Sequence, residues 1–276
     1  MPNEAGVAVA RDYYDSDEAD NFYSTIWGGE DIHVGLYAET RDIREASRRT
    51  VERMVELLGG SLKGKHVLDI GSGYGGGARK LVSEYGADHV TCLNIALVEN
   101  RRNREMNEAA GLADRITVTD GSFDDIPHED ASFDVIWSQD AILHAPDRAA
   151  VMAEAVRVLK PGGDFIFTDP MQADDLENAS DLQPIYDRIH LQNLASFGFY
   201  EKQLTDRGME KVVIEDHSIE IANHYGRVAE ELQARRDEID ASDEWVARML
   251  KGLGLWVDGS RSGKLTWGIM HFRKPL

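Results

Sequence analysis

The sequence predicts a doubly wound α/β protein built on a mainly parallel sheet. Short apolar runs alternate with amphipathic stretches of about 10–15 residues, the signature of parallel strands joined by helices. The first of those runs ends in a cluster of glycines that opens a helix, as at the first crossover of such sheets. The crossovers are long enough to be right-handed, which makes the sheet doubly wound.

Residues 1–60 read as helices. Thr50–Leu58 sets Val51, Met54, Val55 and Leu58 on one helical face. The segment 21–37 (NFYSTIWGGEDIHVGLY) carries aromatics and glycines without a period, and reads as a loop or a broken helix. His66–Ile70 is the first strand, followed by GSGYGGG and a helix through about Tyr85. His89–Asn94 and Glu99–Ala110 are the second strand and helix, closed by Gly111. Ile116–Asp120, Phe133–Ser138 and Phe165–Asp169 are further strands. A helix over Asp147–Leu159 separates the last two, with Val151, Met152, Ala155, Val156 and Leu159 facing inward. The rhythm breaks at about 171–200, an irregular then helical insertion. A helix near Tyr200–Arg207, a strand at Val212–Asp216, helical stretches over 221–252 and a strand at Leu265–Phe272 complete seven strand candidates. The expected division is an N-terminal helical lid at 1–60 and a sheet domain at 61–276 with its cap insertion.

Composition excludes several functions. Among 276 residues, 30 Lys and Arg face 50 Asp and Glu, a net charge of −20. Such a chain lacks the basic footprint that grips a phosphate backbone, and it is repelled by anionic membranes. The acidic residues are interspersed, which suits plain solubility and equally a salt-adapted host. The lone cysteine, Cys92, rules out an internal disulfide and Cys-based zinc clusters. The nine histidines show no HxH or HxxxH spacing, so no metal is expected. No stretch has 18 consecutive apolar residues, and the N-terminus has neither a basic start nor an apolar run. A cytoplasmic protein is the expectation.

The most informative stretch is VLDIGSGYGGG, Val67–Gly77. Gly71, Gly73 and Gly76 satisfy G-x-G-x-x-G, so a pyrophosphate on the helix N-terminus must be weighed, which would make the protein an NAD-dependent oxidoreductase. Against it, Asp69 places a carboxylate two residues before the first glycine, where a ligand with a positive end is better served. Asn94 stands where a ribose-binding acid is expected. The segment LKPGG, Leu159–Gly163, leads directly into the next strand.

Together with SFDVIWSQDAILH, these motifs resemble the class I S-adenosylmethionine-dependent methyltransferases over about residues 60–170, with their Rossmann-like, seven-stranded fold. The resemblance implies S-adenosylmethionine as cofactor and S-adenosylhomocysteine as coproduct. It places Asp69, Gly71 and Gly73 at the amino-acid end of the donor, and Asn94 and Ile95 beside the ribose and adenine. Ser122 and Phe123 would border the adenine, Ser138 and Gln139 the methionine end. An amide at 94 can bond ribose hydroxyls but forfeits the charge-assisted bond of an acid.

Three segments, IWGGEDIHVGLY (26–37), WSQDAILH (137–144) and FTDPMQADD (167–175), are similar to the sarcosine/dimethylglycine N-methyltransferases that make glycine betaine, an osmolyte. Phosphoethanolamine N-methyltransferases are more distant relatives, in which a tyrosine and a histidine close over the donor. The matching positions are Tyr23 and His144, with Asp140 one helical turn before His144 and placed to fix its tautomer. His144 ordinarily titrates near neutrality and is the candidate proton acceptor. A quaternary ammonium product favours aromatic faces, with Tyr23, Trp27, Trp137, Tyr186 and Tyr200 as candidates, most of them core and two or three expected in the pocket. In the 171–200 cap Arg188 leads for the acceptor carboxylate, with His190 and Gln172 near it, and Met171 is a candidate wall. Each has a plain structural alternative: core packing for Tyr23, Phe123 and Met171, a turn for Asn94, a cap or core histidine for His144, a surface position for Arg188. The expected partner is a small amine, and a monomer and a homo-oligomer are equally compatible.

Overall fold

The computed structural model describes residues 21–189 and 191–276. His190 and the first twenty residues, including part of the expected N-terminal lid, lie outside them. A π-helical turn at Tyr23–Trp27 opens the described chain and ends at Gly28, whose φ is 134°. Residues 28–42 are irregular, so only part of 21–60 is helical. Helix α1 (Ile43–Leu57) extends back beyond the expected Thr50–Leu58 run because Asp42 caps it, accepting from the Glu45 N–H at 2.8 Å.

The sheet consists of β1 (His66–Ile70), β2 (His89–Asn94), β3 (Ile116–Asp120), β4 (Phe133–Gln139), β5 (Leu159–Gln172), β6 (Glu210–Asp216) and β7 (Leu265–Arg273). Their spatial order is 3-2-1-4-5-7-6, with β7 antiparallel to both neighbours and the other pairings parallel. The doubly wound, mainly parallel seven-stranded sheet is therefore as expected. Helices α2 (Gly76–Ser83), α3 (Leu97–Ala109), α4 (Arg148–Val158) and α6 (Phe197–Thr205) flank it, and α5 (Gln183–Arg188) lies in the cap. Two long helices, α7 (Ile219–Ala234) and α8 (Asp243–Arg261), are inserted between β6 and β7.

Alternation along the strands builds two cores, one on each face. Leu68, Ile136, Phe165 and Phe167 pack with Val151, Met152 and Tyr200 on one side. Val67, Val135, Trp137 and Ile166 pack with Val51, Met54 and Leu81 on the other. Helix α1 thus belongs to the layer under the sheet. LKPGG does not precede β5 but sits inside it. Phe133 pairs with Leu159 and Val135 with Asp164, so the extra residues bulge out at Gly162, whose φ is 75°. A third cluster joins Phe22, Tyr23, Ile26 and Trp27 to Val228, Leu232, Met249 and Leu253. The turn at 23–27 and the α7–α8 pair therefore form a roof over one end of the sheet. Among the described residues, no helix is long and apolar enough to cross a membrane.

Candidate active site

Strand order reverses between β1 and β4, and ligands of open parallel sheets bind at such a switch point. Two adjoining cavities lie there, sharing Ile32, Asp140 and His144.

The first cavity runs along the glycine loop. Gly71 has a φ of 78°, and a Cβ on it would come within 2.2 Å of the Ala141 Cβ, so only glycine lets β1 turn here. Asp69 lines the cavity, and burial, with the Asp31 carboxylate nearby, pushes its carboxyl up to about 7. Asp31 itself is ion-paired with Lys80. Asn94, Ile95, Gly73, Ser122, Phe123 and Gln139 line the same space, as expected. Ser138 does not: it is buried in β4, and its hydroxyl donates to the Ile70 carbonyl at 2.8 Å, tying two strands together.

Two residues missed in the sequence complete this cavity. Glu99 accepts from the Asn94 amide at 2.8 Å and is buried, so a carboxylate does reach the end of β2, supplied from the first turn of α3. The acid stands in the helix after the strand and not at the strand end, out of reach of a rule based on strand ends. His33, from the irregular loop, presents a buried Nε2 with no hydrogen-bond partner. Gln139 Nε2 and Ser72 Oγ are likewise buried and unpartnered against this cavity.

At the shared wall the expected roles change. Asp140 and His144 do not lie on one helix. Asp140 has a φ of 52°, and the chain then enters a short 3-10 turn, Ile142–His144. Both Asp140 oxygens are engaged, accepting from the Val34 N–H at 2.7 Å, Thr168 Oγ1 at 2.6 Å and Trp267 Nε1 at 2.7 Å. Asp140 thereby clamps the 28–37 loop to β5 and β7. Nor does His144 titrate near neutrality: burial and the Arg148 guanidinium push its imidazole down to about 4.

The second cavity is lined by Tyr23 and Trp27 from the turn, Pro170 from β5, Arg188 from α5, Tyr225 from α7, and Met249, Leu253 and Trp256 from α8. Tyr225 and Trp256 stack at 5.0 Å, and Trp27 stands edge-on to Tyr225 at 5.4 Å. The Trp27 indole N–H is buried without a partner. Arg188 donates to the Arg248 carbonyl at 3.1 Å and to Met249 Sδ at 2.9 Å, leaving three of its five N–H donors uncommitted.

Of the wall candidates, Met171 and three of the five aromatics are core. Met171 shares the β5 face of Phe165 and Phe167, so parity sends it into the core and leaves Pro170 to line the cavity. Tyr186 is buried, with its hydroxyl on Gln172 Oε1 at 2.9 Å, and Tyr200 is buried with its hydroxyl on Asp169 at 2.6 Å. Trp137 is buried on the opposite face of the sheet.

Comparison with known proteins places this geometry in a context. Residues 68–167 match a methyltransferase domain family. The sarcosine/dimethylglycine N-methyltransferase of Halorhodospira halochloris is 50% identical over 275 residues, spanning 99% of this chain and 98% of that protein. A crystal structure from Galdieria sulphuraria, provisionally assigned as a sarcosine dimethylglycine methyltransferase, superposes with a TM-score of 0.88 at 48% identity, covering 94% of this chain and 99% of that one. Phosphoethanolamine N-methyltransferase 2 of Haemonchus contortus, with phosphomonomethylethanolamine and S-adenosylhomocysteine bound, has a TM-score of 0.83 at 20% identity, covering 97% of this chain and 60% of that one; it shares the fold. These relatives set aside the reading as an NAD-dependent oxidoreductase.

Proposed function

The chain belongs to the sarcosine/dimethylglycine N-methyltransferases, and on that premise we propose how its own residues divide the work of methylating sarcosine or dimethylglycine. The products are dimethylglycine and glycine betaine. S-adenosylmethionine, when bound, supplies an electrophilic methyl carried on a sulfonium.

The first cavity fits that donor. Asp69 accepts no hydrogen bond from the described residues, and it suits an ammonium group. Asn94 and Glu99 together offer an amide and a carboxylate to ribose hydroxyls, and Phe123 offers a face to the adenine. The unpartnered His33, Ser72 and Gln139 atoms are what a polar, zwitterionic ligand would satisfy.

The second cavity fits the acceptor. Arg188 takes the carboxylate, with the buried Trp27 N–H as a second donor on the same cavity. Tyr23, Trp27, Tyr225 and Trp256 present aromatic surface to the alkylated nitrogen, whose positive charge develops during transfer. Holding the nitrogen and the methyl in line supplies most of the acceleration. The observation that carries this reading is one pocket with a lone guanidinium and an aromatic wall, abutting another in which the buried Asp69 carboxylate accepts no hydrogen bond from the described residues.

His144 acts as a neutral imidazole in this scheme. The ammonium of an N-methylated amino acid is far more basic than an imidazole held down to about 4, so handing its proton to His144 is strongly uphill. The acceptor therefore enters as the free amine with its one lone pair turned to the methyl, and His144 forms the wall beside that nitrogen without taking its proton. We read the enzyme as cytoplasmic and acting on a small amine, a reading supported by its buried, unpaired Cys92 and its acidity. That acidity also suits work in concentrated electrolyte, where an osmolyte is needed.

The test is methyl transfer from S-adenosylmethionine to glycine, sarcosine, dimethylglycine and phosphoethanolamine, at low and high salt. Turnover of dimethylglycine to betaine is expected. Silence on sarcosine and dimethylglycine, with the donor bound, would sink the acceptor assignment.

A further inference from the structure

We infer that Gly252 is a positioning and specificity-determining residue for the acceptor, because its missing side chain sets how deep the Arg188 guanidinium sits. This rests on the reading that Arg188 holds the acceptor carboxylate. Gly252 lies in the interior of α8 and is buried. Glycine is a poor residue there, and its backbone is not left-handed, so no torsion requires it. Space does. A Cβ at 252 would lie 2.1 Å from Arg188 Nη1, 2.2 Å from Cζ and 2.4 Å from Nε. The guanidinium therefore lies flush against the helix backbone where any other residue would carry its side chain. Gly254 in the same helix has nothing within 4 Å of the corresponding point, so the constraint is specific to 252.

The two hydrogen bonds that hold Arg188, to the Arg248 carbonyl and Met249 Sδ, come from the preceding turn of α8. They anchor the group laterally, and Gly252 sets its depth. In an α-amino acid the nitrogen and the carboxylate carbon are separated by a single carbon. The height of the guanidinium above α8 therefore fixes how far the nitrogen reaches toward the shared wall at His144. Adding a methyl at 252 displaces the far end of a flexible side chain, not the helix, and pushes the guanidinium about 1 Å into the cavity. A misplacement of that size can cost about 100-fold in transfer. The acceptor site is thus tuned to one spacing between carboxylate and nitrogen by a residue that never touches substrate.

The experiment is a double-mutant cycle with Gly252→Ala, Arg188→Gln and their combination. It reads KM and kcat for dimethylglycine, donor Kd and Tm. Gly252→Ala is expected to raise KM at least tenfold, with donor Kd unchanged and Tm unchanged or higher, since alanine favours the helix. In the Arg188→Gln background the same substitution should raise KM less than twofold. An unchanged KM in Gly252→Ala, with a raised KM in Arg188→Gln, overturns the role of Gly252 and leaves Arg188 as the carboxylate ligand. An equal rise in both backgrounds, or a loss of Tm with kinetics intact, makes Gly252 a packing residue only. An unchanged KM in Arg188→Gln overturns the carboxylate reading and this inference with it.

Discussion

In the proposed donor site, Asp69 couples donor binding to the release of a proton. Its carboxyl is held at about 7 by burial and by the neighbouring Asp31, in a cavity where the described residues provide it no hydrogen bond. The donor ammonium selects the ionised form, so apparent affinity scales with the ionised fraction. That fraction is about half at pH 7 and about one in thirty at pH 5.5, so Kd should weaken about 16-fold between the two. Affinity falls as pH falls, because the raised pKa keeps the acid protonated below 7. The α-ammonium of the donor titrates at about 8 and stays charged throughout this window. Isothermal titration in two buffers of different ionisation enthalpy should show about half a proton released per donor bound at pH 7. Asp69→Asn should bind more weakly at pH 7 and lose the slope. A flat Kd from pH 5.5 to 7.5 in the native protein, or the same slope in Asp69→Asn, would refute the reasoning.

Three further outcomes follow from the same geometry. With donor saturating, kcat/KM for dimethylglycine should rise with pH along the ionisation of the amine itself, since the free amine reacts and His144 is already neutral above about 4. His144→Ala should lower turnover at least tenfold and leave donor affinity unchanged; an inflection near 6.5 that vanishes in this variant would restore His144 as the proton acceptor. Glu99→Gln should weaken donor binding by about 1–2 kcal/mol, the difference between charge-assisted and neutral hydrogen bonds, without moving acceptor KM; equal donor affinity in calorimetry would remove Glu99 from the site. Tyr200→Phe should cost about 1–3 kcal/mol of stability by stripping Asp169 of its 2.6 Å partner, with kinetics intact; a changed acceptor KM would put Tyr200 back in the cavity.

The proposed donor half of the site was legible because it is local. Asp69, Gly71 and Gly73 lie within five residues of a strand–turn–helix, and the chemistry of each follows from its place in that turn. Ser138 failed as a donor-cavity residue because its hydroxyl bonds a neighbouring strand, which no local pattern reports. The acceptor half is assembled from a distance. Tyr23 and Trp27 meet Tyr225 and Trp256 across some two hundred residues of chain, through helices inserted between β6 and β7. The sequence marked those stretches as helical but carried no sign of which face would roof the site. Within the cap the aromatics at 186 and 200 resembled wall residues equally well, and buried hydrogen bonds claimed both.

By itself, then, the sequence determined the alternation of strands and helices, the glycine turn with its acid, and the family. These depend on periodicity and on residues close along the chain, where backbone stereochemistry acts directly. The tertiary structure decided the ionisation of His144, the commitment of Asp140 to Val34, Thr168 and Trp267, and the seat of Arg188 over Gly252. Those depend on desolvation and on contact between distant segments, and such quantities exist only once the chain has closed around them.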